Sequence, residues 1–236
     1  MIGEGLFFTQ LETIENILRE INLFEERQRF PNRNLGAKDF KGLSYREVYA
    51  RYIAEFAYDF RLSDQSLLLF RKGGSNMHDG CLSFSYNESP SDVMSYLEFV
   101  ADQNNINVED SSLQEIVSFW GDGLRTDYEQ YVNSMELKSA VTPIRYDYHS
   151  KDYRSGVHPA SHFHFGFGSE IRVAARRVMN PISFVLFVLR QQYPEHWAAL
   201  WTVQSFSNWR RNVRDNLEMV HSDYWCHGDE GELYLY

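Results

Sequence analysis

The stretch Ile144–Arg176, IRYDYHSKDYRSGVHPASHFHFGFGSEIRVAAR, decides how the rest of the chain is read. Successive side chains of a β-strand point to opposite faces. Over Ile144–His149 this puts Arg145, Asp147 and His149 on one face and Ile144, Tyr146 and Tyr148 on the other. The next run repeats the pattern, with His162 and His164 facing one way and Phe163, Phe165 and Phe167 the other. A tight turn through Phe167-Gly168-Ser169 folds Glu170–Ala175 back as a third strand, bringing Arg172 opposite His164. Pairing of the three strands therefore predicts one polar surface over an aromatic core. It carries Arg145, Asp147, His149, His162, His164 and Arg172.

Working outward, the pattern alternates between helical and strand periods. Thr9-Gln10-Leu11-Glu12 and Ser44-Tyr45-Arg46-Glu47 read as capping boxes opening helices. Tyr58–Leu62, Ser66–Phe70 and Cys81–Tyr86 read as a three-stranded meander, joined by turns at Ser63-Asp64-Gln65 and Gly73–Gly80. Helices are expected over Pro90–Gln103, Ser111–Trp120 and Leu124–Leu137. Beyond the histidine segment, Asn180 caps a helix with Pro181 at its first position. Trp197, Trp201, Trp209, Val213 and Leu217 mark one further long helix, and Glu232–Tyr236 reads as a short strand. The order predicts an α+β fold with a mainly antiparallel sheet of about six strands, and helices before, between and after two three-stranded sets. A single domain over residues 1–236 is expected. It has an acidic helical and meander part to about residue 137, and a histidine-rich sheet with C-terminal helices from about residue 138.

Composition narrows the class. The chain has 236 residues, 43% of them hydrophobic and 16% aromatic, enough for a well-buried core. No apolar run reaches the roughly 18–20 residues that span a bilayer, and the start MIGEGLFFTQLE lacks a basic region and a long apolar stretch. No membrane span or signal peptide is therefore expected. Two distant cysteines, Cys81 and Cys226, make no disulfide framework, which points to a cytoplasmic setting. The net charge of −10 argues against indiscriminate nucleic-acid binding. It is unevenly spread: residues 1–136 carry 12 basic against 23 acidic side chains, residues 137–217 carry 11 against 5. The basic part coincides with the histidine segment, where an anionic ligand or a solvated basic face both fit.

Two histidines of different environment suit acid–base cleavage of a phosphodiester near neutral pH, with Arg145 and Arg172 meeting the developing charge and Asp147 orienting an imidazole. The rival chemistry is a divalent metal on His162 and His164 with His149 or Asp147. The bland reading is a satisfied structural network. His221, Cys226, His227 and Asp223 read as a packed tail, the tryptophans as core, and Arg210, Arg211 and Arg214 as a solvated face or an extension of the anionic site.

Several segments together resemble a family of bacterial proteins known as domain of unknown function 2290. They are Tyr58-Asp59-Phe60-Arg61-Leu62-Ser63-Asp64-Gln65-Ser66, Pro143–Tyr148, His158-Pro159-Ala160-Ser161-His162-Phe163-His164-Phe165-Gly166, Pro181–Phe184 and Tyr193–Trp197. The resemblance covers about residues 45–197 and implies no reaction. The Arg-Tyr-Asp … His-Pro-x-x-His-x-His run is also similar to one in TumE-like toxins of toxin–antitoxin systems. The expectation is a nuclease-like or phosphodiester-directed hydrolase of a toxin or defence system, acting on RNA or nucleotides without a cofactor. The alternative is a non-catalytic subunit or regulator whose acidic, tyrosine-rich N-terminal part docks a protein partner, the histidines being structural or metal-binding.

Overall fold

Alternation along Cys81–Asn87 sets the frame: Leu82, Phe84 and Tyr86 are buried while Ser83 and Ser85 lie on the opposite face. The computed structural model describes residues 2–74, 80–120, 122–168, 171–202 and 204–235. In it Cys81–Asn87 is strand β4 of one eight-stranded sheet whose spatial order follows the chain. The strands before it are β1 (Phe24–Arg27), β2 (Phe60–Leu62) and β3 (Leu67–Gly73). Those after it are β5 (Ile144–His149), β6 (Ser161–Phe165), β7 (Arg172–Ala175) and β8 (Tyr234–Leu235). Every neighbouring pair is antiparallel except β7 and β8, which are parallel.

The helices that fix the faces of this sheet are α1 (Glu4–Glu20), α2 (Tyr45–Ala54) and α6 (Pro181–Gln192). Helix α6 is apolar nearly all round and is buried from Pro181 to Leu186. Its start is fixed as the sequence predicts, since Asn180 Oδ1 accepts the Ser183 N–H at 2.9 Å and Pro181 lacks the N–H it would leave unbonded. Helices α1 and α6 cover the face carrying Phe60, Phe70, Phe84, Tyr146 and Phe163, with Phe184 packed edge-on to Phe70 at 6.2 Å. Strand β3 is apolar on both sides because α2 packs Tyr49, Tyr52 and Ile53 over Tyr58, Leu67 and Leu69 on the second face. Helices α3 (Tyr96–Gln103), α4 (Leu113–Trp120) and α5 (Asp122–Ser134) build a separate small cluster around Tyr96, Phe99 and Tyr128. Helices α7 (Pro194–Trp201), α8 (Gln204–Asp215) and α9 (His227–Glu230) complete the C-terminal part. No helix among the described residues is long and apolar enough to cross a membrane.

The α+β architecture agrees with the sequence reading, with eight strands in place of six. Strand β1 was not foreseen: its sequence, Phe-Glu-Glu-Arg, is half-buried throughout and shows no alternation. Helix α1 starts at Glu4 behind Gly3, so Thr9 is not its cap; its hydroxyl instead donates to the Gly5 carbonyl one turn back. Burial of Phe7 accounts for the extra turn. The expected helix from residue 90 begins at Tyr96, behind the Ser95 capping box. The periodicity expected to mark one helix from 197 to 217 falls on two, α7 and α8, with Leu217 beyond the end of α8. Residues 75–79 of the expected Gly73–Gly80 turn lie outside the described residues, as do Ser169 and Glu170 of the third histidine-segment strand.

Of the tyrosines in the acidic N-terminal part, Tyr128 is buried and Tyr45 and Tyr49 are half-buried, their hydroxyls turned inward. Tyr45 donates to the Glu88 carbonyl at 2.5 Å, Tyr49 to the Gln65 carbonyl and Tyr128 to the Met94 carbonyl at 2.8 Å. Burial pushes the phenols of Tyr45, Tyr49 and Tyr128 well above their ordinary range, as befits neutral hydrogen-bond donors.

Candidate functional site

The register of β4 to β7 assembles the polar surface. Asp147 stands between Ser83 on one side and His162 on the other, Arg145 opposite His164, and His164 opposite Arg172. Phe163, one residue from each histidine, is buried on the opposite face against Tyr146 and Phe187. The alternation that sends Phe163 into the core thus sends both histidines to one spot. Gly166, at φ +84°, turns the chain out of β6 and donates its N–H to the Pro143 carbonyl at 2.9 Å.

At the centre, His162 Nε2 and His164 Nε2 lie 3.0 Å apart. The other nitrogen of His162, Nδ1, is 2.8 Å from the Pro159 carbonyl. A carbonyl can only accept, so Nδ1 carries the proton and Nε2 presents a lone pair to His164. Asp147 Oδ2 is 3.5 Å from His164 Nε2 and 2.7 Å from Arg145 Nε, while its Oδ1 accepts the Ser83 hydroxyl at 2.8 Å. His162 is 3% and His164 7% exposed, whereas the Arg145 side chain keeps 52% of its surface in solvent. Burial holds both imidazoles down at about 4. For His164 the neighbouring Arg145 and His162 push the same way; for His162 the nearby Asp147 partly opposes. Both rings are therefore neutral at pH 7. His162 Nε2 offers its lone pair as it stands, whereas His164 Nε2 carries the proton of their shared bond and would bind a metal only after that proton moves to its buried Nδ1, which has no hydrogen-bond partner.

The ligand atoms of Asp147, His162 and His164 all lie within 4.8 Å of one another. Zinc held tetrahedrally about 2.0–2.1 Å from each ligand sets neighbouring ligand atoms roughly 3.3–3.4 Å apart. Two of the three separations, 3.0 and 3.5 Å, bracket that value, and the third, between Asp147 and His162, lies within 4.8 Å, so closing the trio on one ion needs a small inward shift. The trio fits a three-ligand centre, with the Pro159 bond fixing one imidazole and Ser83 and Arg145 fixing the carboxylate, as outer groups do around protein metals.

Not every expected residue joins it. His149 sits at the end of β5 and bonds Asp152 Oδ2 through Nδ1 at 2.5 Å, so Asp147 and not His149 completes the group. Arg172 is exposed at the β7 register opposite His164, near enough for its charge to bear on both rings. The sequence reading missed Ser83 and the Pro159 carbonyl. Ser83 is legible in principle, as a polar residue alternating with buried Leu82 and Phe84, but nothing local ties it to Asp147, 64 residues away. The tail cluster stays apart from this surface: Cys226 contacts the Ser155 hydroxyl at 2.7 Å and its N–H is taken by Asp229.

The sequence matches the family described as Uncharacterized conserved protein (DUF2290) over residues 17–223. The chain belongs to that family. No curated protein and no solved structure matches it. The likeness to TumE-like toxins gains no support from the DUF2290 match. That match spans β1 to β7 and so includes every residue of the histidine surface.

Proposed function

We propose that this DUF2290 protein is a divalent-metal-dependent hydrolase acting on phosphodiesters, with Asp147, His162 and His164 as the metal ligands. The observation that carries this reading is the convergence of two neutral imidazole nitrogens and one carboxylate oxygen within 4.8 Å. A metal-free pair of histidines is less well supported. An acid and a base must stand on opposite sides of the scissile bond, and nitrogens facing each other at 3.0 Å leave no room for a phosphoryl group between them. Bound there, the metal would supply a Lewis acid and lower the pKa of a coordinated water towards 7. The chain's own residues do the rest. Arg145, half in solvent, offers a guanidinium to the phosphoryl oxygens, and Arg172 adds positive charge on the same face. Ser83 holds the free carboxylate oxygen of Asp147, and the Pro159 carbonyl keeps His162 in the tautomer that presents Nε2.

The test is hydrolysis of bis(p-nitrophenyl) phosphate and of an RNA oligonucleotide by protein stripped with a chelator and reloaded with zinc or manganese. Activity is expected only in the loaded protein. His162→Ala and Asp147→Asn are expected to lower it at least about a hundredfold, and Arg145→Ala to weaken phosphodiester binding. Equal turnover with and without metal, or turnover unchanged in both ligand variants, would sink the reading.

A second reading rests on burial: His162 is bonded at both nitrogens and nearly inaccessible. In it the trio is a structural network and the protein acts by docking a partner. Phe119 and Trp120, 83% and 56% exposed at the end of α4, are the contact residues in this reading. It expects the same substitutions to cost stability, with no response to metal.

A further inference from the structure

On the opposite face of the sheet, between β6, β7, α6 and α8, lies a cavity of about 400 Å³. Its floor is aromatic. Phe163 and Phe187 pack with ring centroids 4.8 Å apart, and Trp197 stands beside them. Its rim is basic. Arg190 from α6 and Arg210, Arg211 and Arg214 from α8 all line it, and among the described residues no carboxylate does. Elsewhere many guanidiniums are paired, as Arg19, Arg27, Arg33, Arg51, Arg61 and Arg125 each meet an Asp or Glu, though Arg71 is held by the Leu35 carbonyl instead. Arg214 has Asp215 at 2.8 Å, but among the described residues Arg190, Arg210 and Arg211 have no acidic partner. Arg210 instead lies over the Trp201 ring at 4.1 Å and near Trp197 at 5.6 Å. Its guanidinium is held below its usual range by burial and then by Arg190, Arg214 and Arg211, so the four charges face one another.

We propose that this cavity binds a nucleoside polyphosphate, its base against Phe187 and Trp197 over the buried Phe163, and its phosphates on Arg190, Arg210 and Arg211. Charge decides the class. A carboxylate neutralises one guanidinium, whereas a diphosphate brings about three negative charges and oxygens that match the planar fork of arginine. Size agrees, because small-molecule sites are commonly about 300–1,000 Å³. The aromatic floor gives a flat base a stacking surface that a bare inorganic phosphate would not use. The site is separate from the metal centre: Phe163 faces the cavity, and His162 and His164 point to the other side of the same strand.

The test is isothermal titration of the full chain, in chelator, with ADP, inorganic pyrophosphate and decanoate. ADP is expected to bind at one site, more tightly than pyrophosphate, and decanoate more weakly than ADP. Arg190→Ala and Arg211→Ala are each expected to weaken ADP roughly tenfold or more, with Arg190→Lys and Arg211→Lys losing less. His162→Ala is expected to leave ADP binding unchanged, which separates this site from the metal centre whatever the fate of the hydrolase reading. The proposal is overturned by absence of ADP binding up to about 1 mM, by binding equal in the Arg190→Ala/Arg211→Ala protein, or by its loss in His162→Ala. Pyrophosphate matching ADP would remove the nucleoside, and decanoate exceeding ADP would remove the phosphate.

Discussion

Asp59→Ala is expected to destabilise the protein by about 2–3 kcal/mol, the upper part of the cost of stranding a buried hydrogen-bonding group, because the Arg33 side chain it pairs stays 38% exposed. Asp59 is 3% exposed. Its Oδ1 accepts Arg33 Nη2 at 2.5 Å, and its Oδ2 accepts Arg33 Nη1 at 2.9 Å and the Phe70 N–H at 2.7 Å. Alanine removes the carboxylate partner of Arg33 and leaves the buried Phe70 N–H without its acceptor. It also releases the loop that carries Arg33 from its anchor on β3, where Arg33 bonds the Phe70 carbonyl. Against a typical total of about 5–15 kcal/mol, this is a large share. Asp59→Asn keeps one acceptor and is expected to cost less. Urea melts with an unchanged slope give the difference directly. A loss below about 1 kcal/mol for Asp59→Ala would show that the pair contributes little to the fold.

Metal is expected to stabilise the chelator-stripped protein by about 4 kcal/mol when zinc stands roughly a thousandfold above its dissociation constant, since the unfolded chain holds no such site. Asp147→Asn, His162→Ala and His164→Ala are each expected to remove most of that gain, because two of three ligands do not close the centre. The comparison of loaded with stripped protein in thermal melts separates binding from the direct structural cost of each substitution. The tail offers a control: His221 Nδ1 is 3.4 Å from Asp223 Oδ2 on the exposed surface. Zinc acting there would stabilise the three variants as much as the wild type, and the assignment to β5 and β6 would fail.

How much of this was legible follows from the range of the forces involved. The face shared by Arg145, Asp147, His162, His164 and Arg172 was readable because alternation is local and Tyr146, Phe163 and Ala175 bury the other side. The departure of His149 was not. It depends on a 3₁₀ turn at Ser150–Asp152 that brings Asp152 into reach just where the alternation ends. The mutual contact of the two histidines was equally hidden, since it turns on rotamers and on the Pro159 carbonyl three residues upstream. Strand β1 escaped because its polar residues are held by tertiary partners: Glu26 pairs Arg61 at 2.7 Å and accepts the Tyr58 hydroxyl at 3.0 Å. The break between α7 and α8 carries no Gly or Pro, and Trp197, Trp209 and Val213 pack on the same core across it. The arginines of α8 were visible, but their meeting with Arg190 and an aromatic floor requires α6 and α8 to converge in space.

The central claim is tested most directly by anomalous diffraction at the zinc edge from crystals of the zinc-loaded protein. A single strong peak is expected about 2.0–2.2 Å from His162 Nε2, His164 Nε2 and an Asp147 carboxylate oxygen, with the direct bond between the two imidazoles broken. No peak at that point, with the two Nε2 atoms still 3.0 Å apart as hydrogen-bond partners, would contradict it and leave the trio a structural network.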